Sequence, residues 1–143
     1  MSITRQTESQ KQYNTSMKVL LIDDDVFLRD MYATKFVECG HEVEAVDHGD
    51  KALSLVESGH DFDVILVDMV MSGMSGVELI TIVQNKGYIG DAICIVLSNQ
   101  GQQADIDEAM AAGATSYIIK AEHIPSDVVT EVEKILSANQ EGK

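Results

Sequence analysis

Five short apolar runs, each followed by a segment with helical spacing, fix the fold class of this 143-residue chain. The runs are Val19–Ile22, the alternating Glu42–Val46, Val64–Val67, Ile93–Leu97 and Ser116–Ile119. The first intervening segment places Leu28, Met31, Tyr32, Phe36 and Cys39 at helical intervals, and the second does the same with Ala52, Leu53 and Val56. Leu79, Ile80 and Val83 follow, then Ala104–Ala112, and finally Val128, Val132, Ile135 and Leu136. The punctuation agrees. Gly40, Gly59 and Gly113 stop helices, Ser75-Gly76-Val77-Glu78 has capping-box spacing, Asp25 is placed to cap the first helix, and Pro125 suits a first helical position. Strict strand–helix alternation predicts a parallel sheet covered on both faces, and such burial explains the near-continuous apolar strands. Right-handed crossovers leave few topologies. A doubly wound α/β fold with five strands in the order 2-1-3-4-5, flavodoxin-like, suits this length best.

The length leaves room for one domain, taken as residues 17–138. Residues 1–16 are polar without an apolar period and read as a flexible lead, with 139–143 as a tail. The formal charge of -14 repels phosphate backbones and anionic lipid surfaces, so no nucleic-acid or membrane partner is expected. No apolar stretch approaches the ~20 residues of a membrane span, and the N-terminus lacks a signal-peptide core. Cys39 and Cys94 are far apart, without Cys-x-x-Cys spacing, and Cys94 in its apolar run reads as a buried, inert thiol. A cytoplasmic protein is the expectation. His41, His48, His60 and His123 share no metal-ligand spacing.

In an open parallel sheet, ligands bind at the carboxyl ends of the strands, near the switch point between strands 1 and 3. Here strand 1 ends in Asp23 and Asp24, strand 3 in Asp68, strand 4 in Ser98 and strand 5 in Lys120. The topology therefore brings all five to one rim. Two unit charges 4 Å apart repel by roughly 4 kcal/mol at an effective dielectric of about 20, so three clustered carboxylates call for a cation. Hard oxygen ligands suit Mg²⁺, with Mn²⁺ as the alternative, better than Zn²⁺. Lys120 adds a fixed positive charge.

The segments VLLIDDD, DVILVDM, IVLSN and SYIIK, each at a strand end, resemble the receiver domains of two-component response regulators over nearly all of 17–138. The resemblance implies that Asp68 is the phosphoacceptor, phosphorylated by a sensor histidine kinase or histidine phosphotransfer protein. It makes Asp24 a direct metal ligand, with Asp23 acting mostly through metal-bound water and the backbone carbonyl of Val70 completing the protein's share. Ser98 and Lys120 would each meet a phosphoryl oxygen. Tyr117 matches the aromatic switch position, with output through the surface of helix 4, strand 5 and helix 5. A downstream protein target, no enzymatic turnover beyond autophosphorylation and autodephosphorylation, and a monomer or weak homodimer complete the expectation.

Three departures from the family pattern stand out. The loop Met71-Ser72-Gly73-Met74-Ser75-Gly76 has Ser72 where the family usually has proline, a change that reads as benign. Ala121 replaces the proline that normally follows the lysine. A cis bond before a non-proline costs about 2.5–4 kcal/mol, so a differently shaped loop and a different aim for Lys120 are at issue. Ser98 stands in for the commoner threonine, followed by Asn99 rather than a small residue, which bears on access to an acyl phosphate. Other readings compete. A haloacid-dehalogenase-type phosphatase would use the Asp23-Asp24-Asp25 letters but leaves Asp68 unexplained. An FMN carrier needs a phosphate loop where three aspartates stand. A degenerate receiver would be a phosphorylation-independent interaction module. Met69, Met71 and Met74 crowd one loop, where packing is the ordinary explanation and an adaptable partner surface the other.

Overall fold

A computed structural model of the chain describes residues 16–141. The flexible lead read from residues 1–16 therefore lies, but for Ser16, outside the described residues. Five strands form one parallel sheet: β1 (Lys18–Ile22), β2 (Glu42–Val46), β3 (Val64–Val67), β4 (Ile93–Ser98) and β5 (Ser116–Ile119). Their spatial order is β2-β1-β3-β4-β5, as the alternation predicted. Five helices connect and follow them: α1 (Val26–Glu38), α2 (Gly49–Glu57), α3 (Gly76–Asn85), α4 (Gln103–Ala112) and α5 (Pro125–Glu141). The last helix runs three residues past the boundary drawn at 138. No helix among the described residues is long and apolar enough to cross a membrane.

Strand periodicity divides the core in two. Side chains alternate across the sheet, so Val19, Leu21, Val64, Leu66, Ile93, Ile95 and Leu97 face one side and pack with Tyr32 and Phe36 of α1 and with Val128, Val132 and Leu136 of α5. Leu20, Ile22, Ile65, Val67, Cys94 and Val96 face the other side, against Ala52 of α2, Leu79, Ile80 and Val83 of α3, and Ala109 of α4. The three inner strands are buried from Val19, Val64 and Ile93 onward, as two-sided coverage requires. β2 is an edge strand whose exposed Glu42 and Glu44 discourage pairing with another sheet.

The caps fall where the residue types placed them. The Asp25 carboxylate accepts from the Leu28 amide at 3.0 Å, and Ser75 and Glu78 form a reciprocal capping box on α3. Gly113, with φ of 120°, ends α4 in a conformation closed to most side chains. At the end of the sheet remote from the strand carboxyl termini, buried His41 joins three elements. Its Nδ1 accepts from the Met17 amide at 3.1 Å, and Nε2 lies 2.7 Å from Glu133 on α5.

Candidate functional site

The parallel register builds the rim. Ile22 is paired with Val67, and Ser98 with Ile119. The next residues along, Asp23, Asp68 and Lys120, leave their strands at the same edge. The Asp68 amide still donates to the Ile22 carbonyl at 3.0 Å, fixing the end of β3 against β1. Asp24, the following residue, is exposed, whereas Asp23 is buried. Carboxylate oxygens of Asp23, Asp24 and Asp68 all lie within 4.8 Å of one another.

Lys120 crosses this group. Its Nζ donates to Asp23 Oδ2 at 2.8 Å and to Asp68 Oδ2 at 3.0 Å, with only 6% of its side chain exposed. A solvated surface lysine is thereby ruled out. Peptide bonds among the described residues are all trans, so Lys120-Ala121 lacks the cis geometry of the usual Lys-Pro pair. A single 3-10 turn over Lys120–Glu122 takes the chain from β5 toward α5, and the ammonium is aimed at the carboxylates all the same.

Three further carboxylate oxygens accept hydrogen bonds. Asp23 Oδ1 accepts from the Asp25 amide at 2.9 Å, and Asp68 Oδ1 from the Val70 amide at 3.3 Å. Asp24 Oδ2 accepts from the Ser72 amide at 3.0 Å and from the Ser72 hydroxyl at 3.4 Å. Gly76 closes the loop after β3. Its amide donates to the Met69 carbonyl at 3.0 Å, and a Cβ there would sit 2.4 Å from the Asp68 carbonyl oxygen. Met69 and Met71 are buried and Met74 packs among them, so the methionines of this loop serve packing.

Ser98 is buried at the end of β4, and its Oγ accepts from the Gln100 amide at 3.1 Å. The Tyr117 hydroxyl donates to the Gln100 carbonyl and lies 3.5 Å from Met69 Sδ. One residue, Gln100, thus touches both the hydroxyl at the rim and the aromatic ring on β5.

Burial sets the electrostatics. Desolvation pushes the Asp68 carboxyl above the ordinary carboxylate range, against the pull of Lys120. For Lys120 burial works against the charged form, but hydrogen bonding to Asp23 and the charge of Asp68 outweigh it and hold the ammonium above its usual value. Burial likewise raises the phenols of Tyr32 and Tyr117, and it pushes the Cys94 thiol up to about 12, which makes that cysteine inert.

The donor set fits a small hard cation. It offers carboxylate oxygens only, from two adjacent strand ends, one of them exposed and open to water-bound ligands. Soft or imidazole ligands are absent from this cluster.

Comparison with known proteins follows the same lines. The family model described as "Response regulator receiver domain" matches residues 19–133. The chain belongs to this family. The receiver is 30% identical over 105 residues to a chemotaxis protein CheY homolog of Campylobacter jejuni, covering 73% of this chain and 81% of that one. It is 35% identical over 104 residues to the two-component response regulator PhoP of Pseudomonas aeruginosa, covering 73% of this chain but only 45% of that protein. The receiver therefore spans less than half of that relative. Among solved structures it resembles the chemotaxis response regulator CheY4 of Vibrio cholerae, with a TM-score of 0.77, 27% identity, and coverage of 85% of this chain and 99% of that chain. Receivers belong to phosphorelay signalling and are generally phosphoacceptors rather than catalysts, so the family match supports neither the phosphatase nor the FMN-carrier reading. The aspartate group characteristic of their Mg²⁺ site is present here as Asp23, Asp24 and Asp68.

Proposed function

We propose that this receiver accepts a phosphoryl group on Asp68 from a histidine kinase or phosphotransfer protein, and passes the signal to a protein target in the cytoplasm. The observation that carries the proposal is the Lys120 ammonium shared between Asp23 and Asp68 inside a three-carboxylate cluster. A carboxylate attacking a phosphoryl group brings two anions together, so catalysis here is mostly charge neutralisation and positioning. An Asp68 oxygen forms the new P–O bond as the P–N bond of the phosphohistidine breaks, and the departing imidazole nitrogen takes the electron pair.

Asp23, Asp24, Asp68 and the Val70 carbonyl would hold Mg²⁺ or Mn²⁺, which neutralises charge on the phosphoryl oxygens when bound. Lys120 is already within reach of Asp68 and would exchange its bond to that carboxylate for one to a phosphoryl oxygen. Ser98 would turn from the Gln100 amide toward another. That turn disturbs Gln100, to which Tyr117 is tied, and so offers a route from the rim to the surface of α4, β5 and α5.

Intact mass after treatment with acetyl phosphate and Mg²⁺ tests the reading. Wild type should gain one phosphoryl group and Asp68→Asn none. A wild-type protein that stays unmodified, and is equally unresponsive to beryllofluoride, would leave an interaction module that works without phosphate.

A further inference from the structure

The hydrogen bond between Ser72 and Asp24 joins two chain segments that the proposed metal site must hold together. Asp24 follows β1, and Ser72 lies in the loop after β3, two residues beyond Val70. The Ser72 amide is 3.0 Å from Asp24 Oδ2, a charge-assisted contact, whereas its hydroxyl is a weak 3.4 Å from the same oxygen. A proline at position 72 has no N–H to donate, so this bond belongs to chains with another residue there. Asp24 is the exposed member of the cluster, and without a tether its carboxylate would be free to rotate into solvent.

We propose that Ser72 is a positioning residue for the cation site: its backbone amide holds one oxygen of Asp24 and fixes the loop that carries Val70. The contact leaves Asp24 Oδ1 for the cation, and it lowers the ordering cost of binding because the carboxylate is already placed. This rests on the metal reading of Asp23, Asp24 and Asp68 given above.

The test is Mn²⁺ binding, read by electron paramagnetic resonance of the free ion, with Mg²⁺ as competitor. Ser72→Ala keeps the amide and should bind within about twofold of wild type. Ser72→Pro removes it and should bind about three- to tenfold more weakly, the scale of one partly exposed charge-assisted hydrogen bond. Equal affinity of Ser72→Pro and wild type, or equal weakening by Ser72→Ala, would overturn the assignment. Thermal unfolding without metal checks that the proline variant folds. Should it not, the Ser72 amide proton resonance decides: in wild type it should lie downfield and shift upfield in Asp24→Asn, and an unchanged resonance overturns the tether. Asp24→Asn separately tests the site, because undiminished Mn²⁺ affinity there would sink the metal reading whatever Ser72 does.

Discussion

Asp68 sits where burial penalises its charge and Lys120 only partly compensates, so its carboxyl is raised above the ordinary range. For an acid with a folded-state pKa above its unfolded value, the folded chain binds the extra proton between the two values. Stability then falls as pH rises through that window and stays lower above it. Replacing Asp68 with asparagine removes that penalty and leaves Lys120 paired with Asp23. Without metal, Asp68→Asn should therefore melt a few degrees above wild type at pH 7. The difference should shrink as pH falls toward the ordinary carboxylate range near 3.9. A gap independent of pH across that interval, measured by calorimetry, would show that packing, not charge, sets it.

At the scale of an element, the β3–α3 connection does most of the positioning. Ser75 and Glu78 cap α3, while Gly76 lets the loop close onto the Asp68 backbone. These two jobs differ in consequence. Ser75→Ala should cost about 1 kcal/mol in denaturant unfolding and leave phosphoryl uptake near wild type, since it removes only a cap. Gly76→Ala must push a methyl group against the Asp68 carbonyl. It should cost about 2–4 kcal/mol and slow phosphorylation as well, because the displaced atoms belong to the proposed acceptor residue. Matched unfolding curves and acetyl phosphate kinetics for the two variants separate the roles; equal phosphorylation rates would deny the loop its positioning function.

Across the whole molecule, the chemistry occupies one end of the sheet and a structural lock occupies the other. With the Met17 amide donating to Nδ1, the His41 proton is on Nε2 and points at Glu133. This neutral tautomer ties the start of β1, the turn into β2 and α5 together. His41→Ala should destabilise by about 2–4 kcal/mol by leaving a buried amide and a half-buried carboxylate unpaired. Since the rim is remote from this lock, Mn²⁺ affinity measured on the folded variant should not change. A parallel loss of metal binding would mean the two ends are coupled through the sheet.

Much of this was legible before any coordinates. Near-continuous apolar strands in strict alternation with helically spaced segments predict a two-sided parallel sheet, and a parallel sheet puts every strand's carboxyl end on one rim. Asp23, Asp24, Asp68, Ser98 and Lys120 follow from that alone. Caps at Asp25 and Ser75 are equally local, because each depends on residues three positions apart. What sequence could not supply were contacts set by how distant segments approach. The Ser72 amide on Asp24 was hidden because a backbone N–H carries no residue signature, although a non-proline where proline is usual was the available clue. The 3-10 turn that aims Lys120 without proline, the Gln100 link between Ser98 and Tyr117, and the His41–Glu133 lock were likewise invisible. Hydrophobic pattern and strand-end chemistry act along the chain, within the reach of one element, and so determine which groups share an edge. Orientation within a few tenths of an ångström depends on loop closure and packing between elements, and only the tertiary structure decides it.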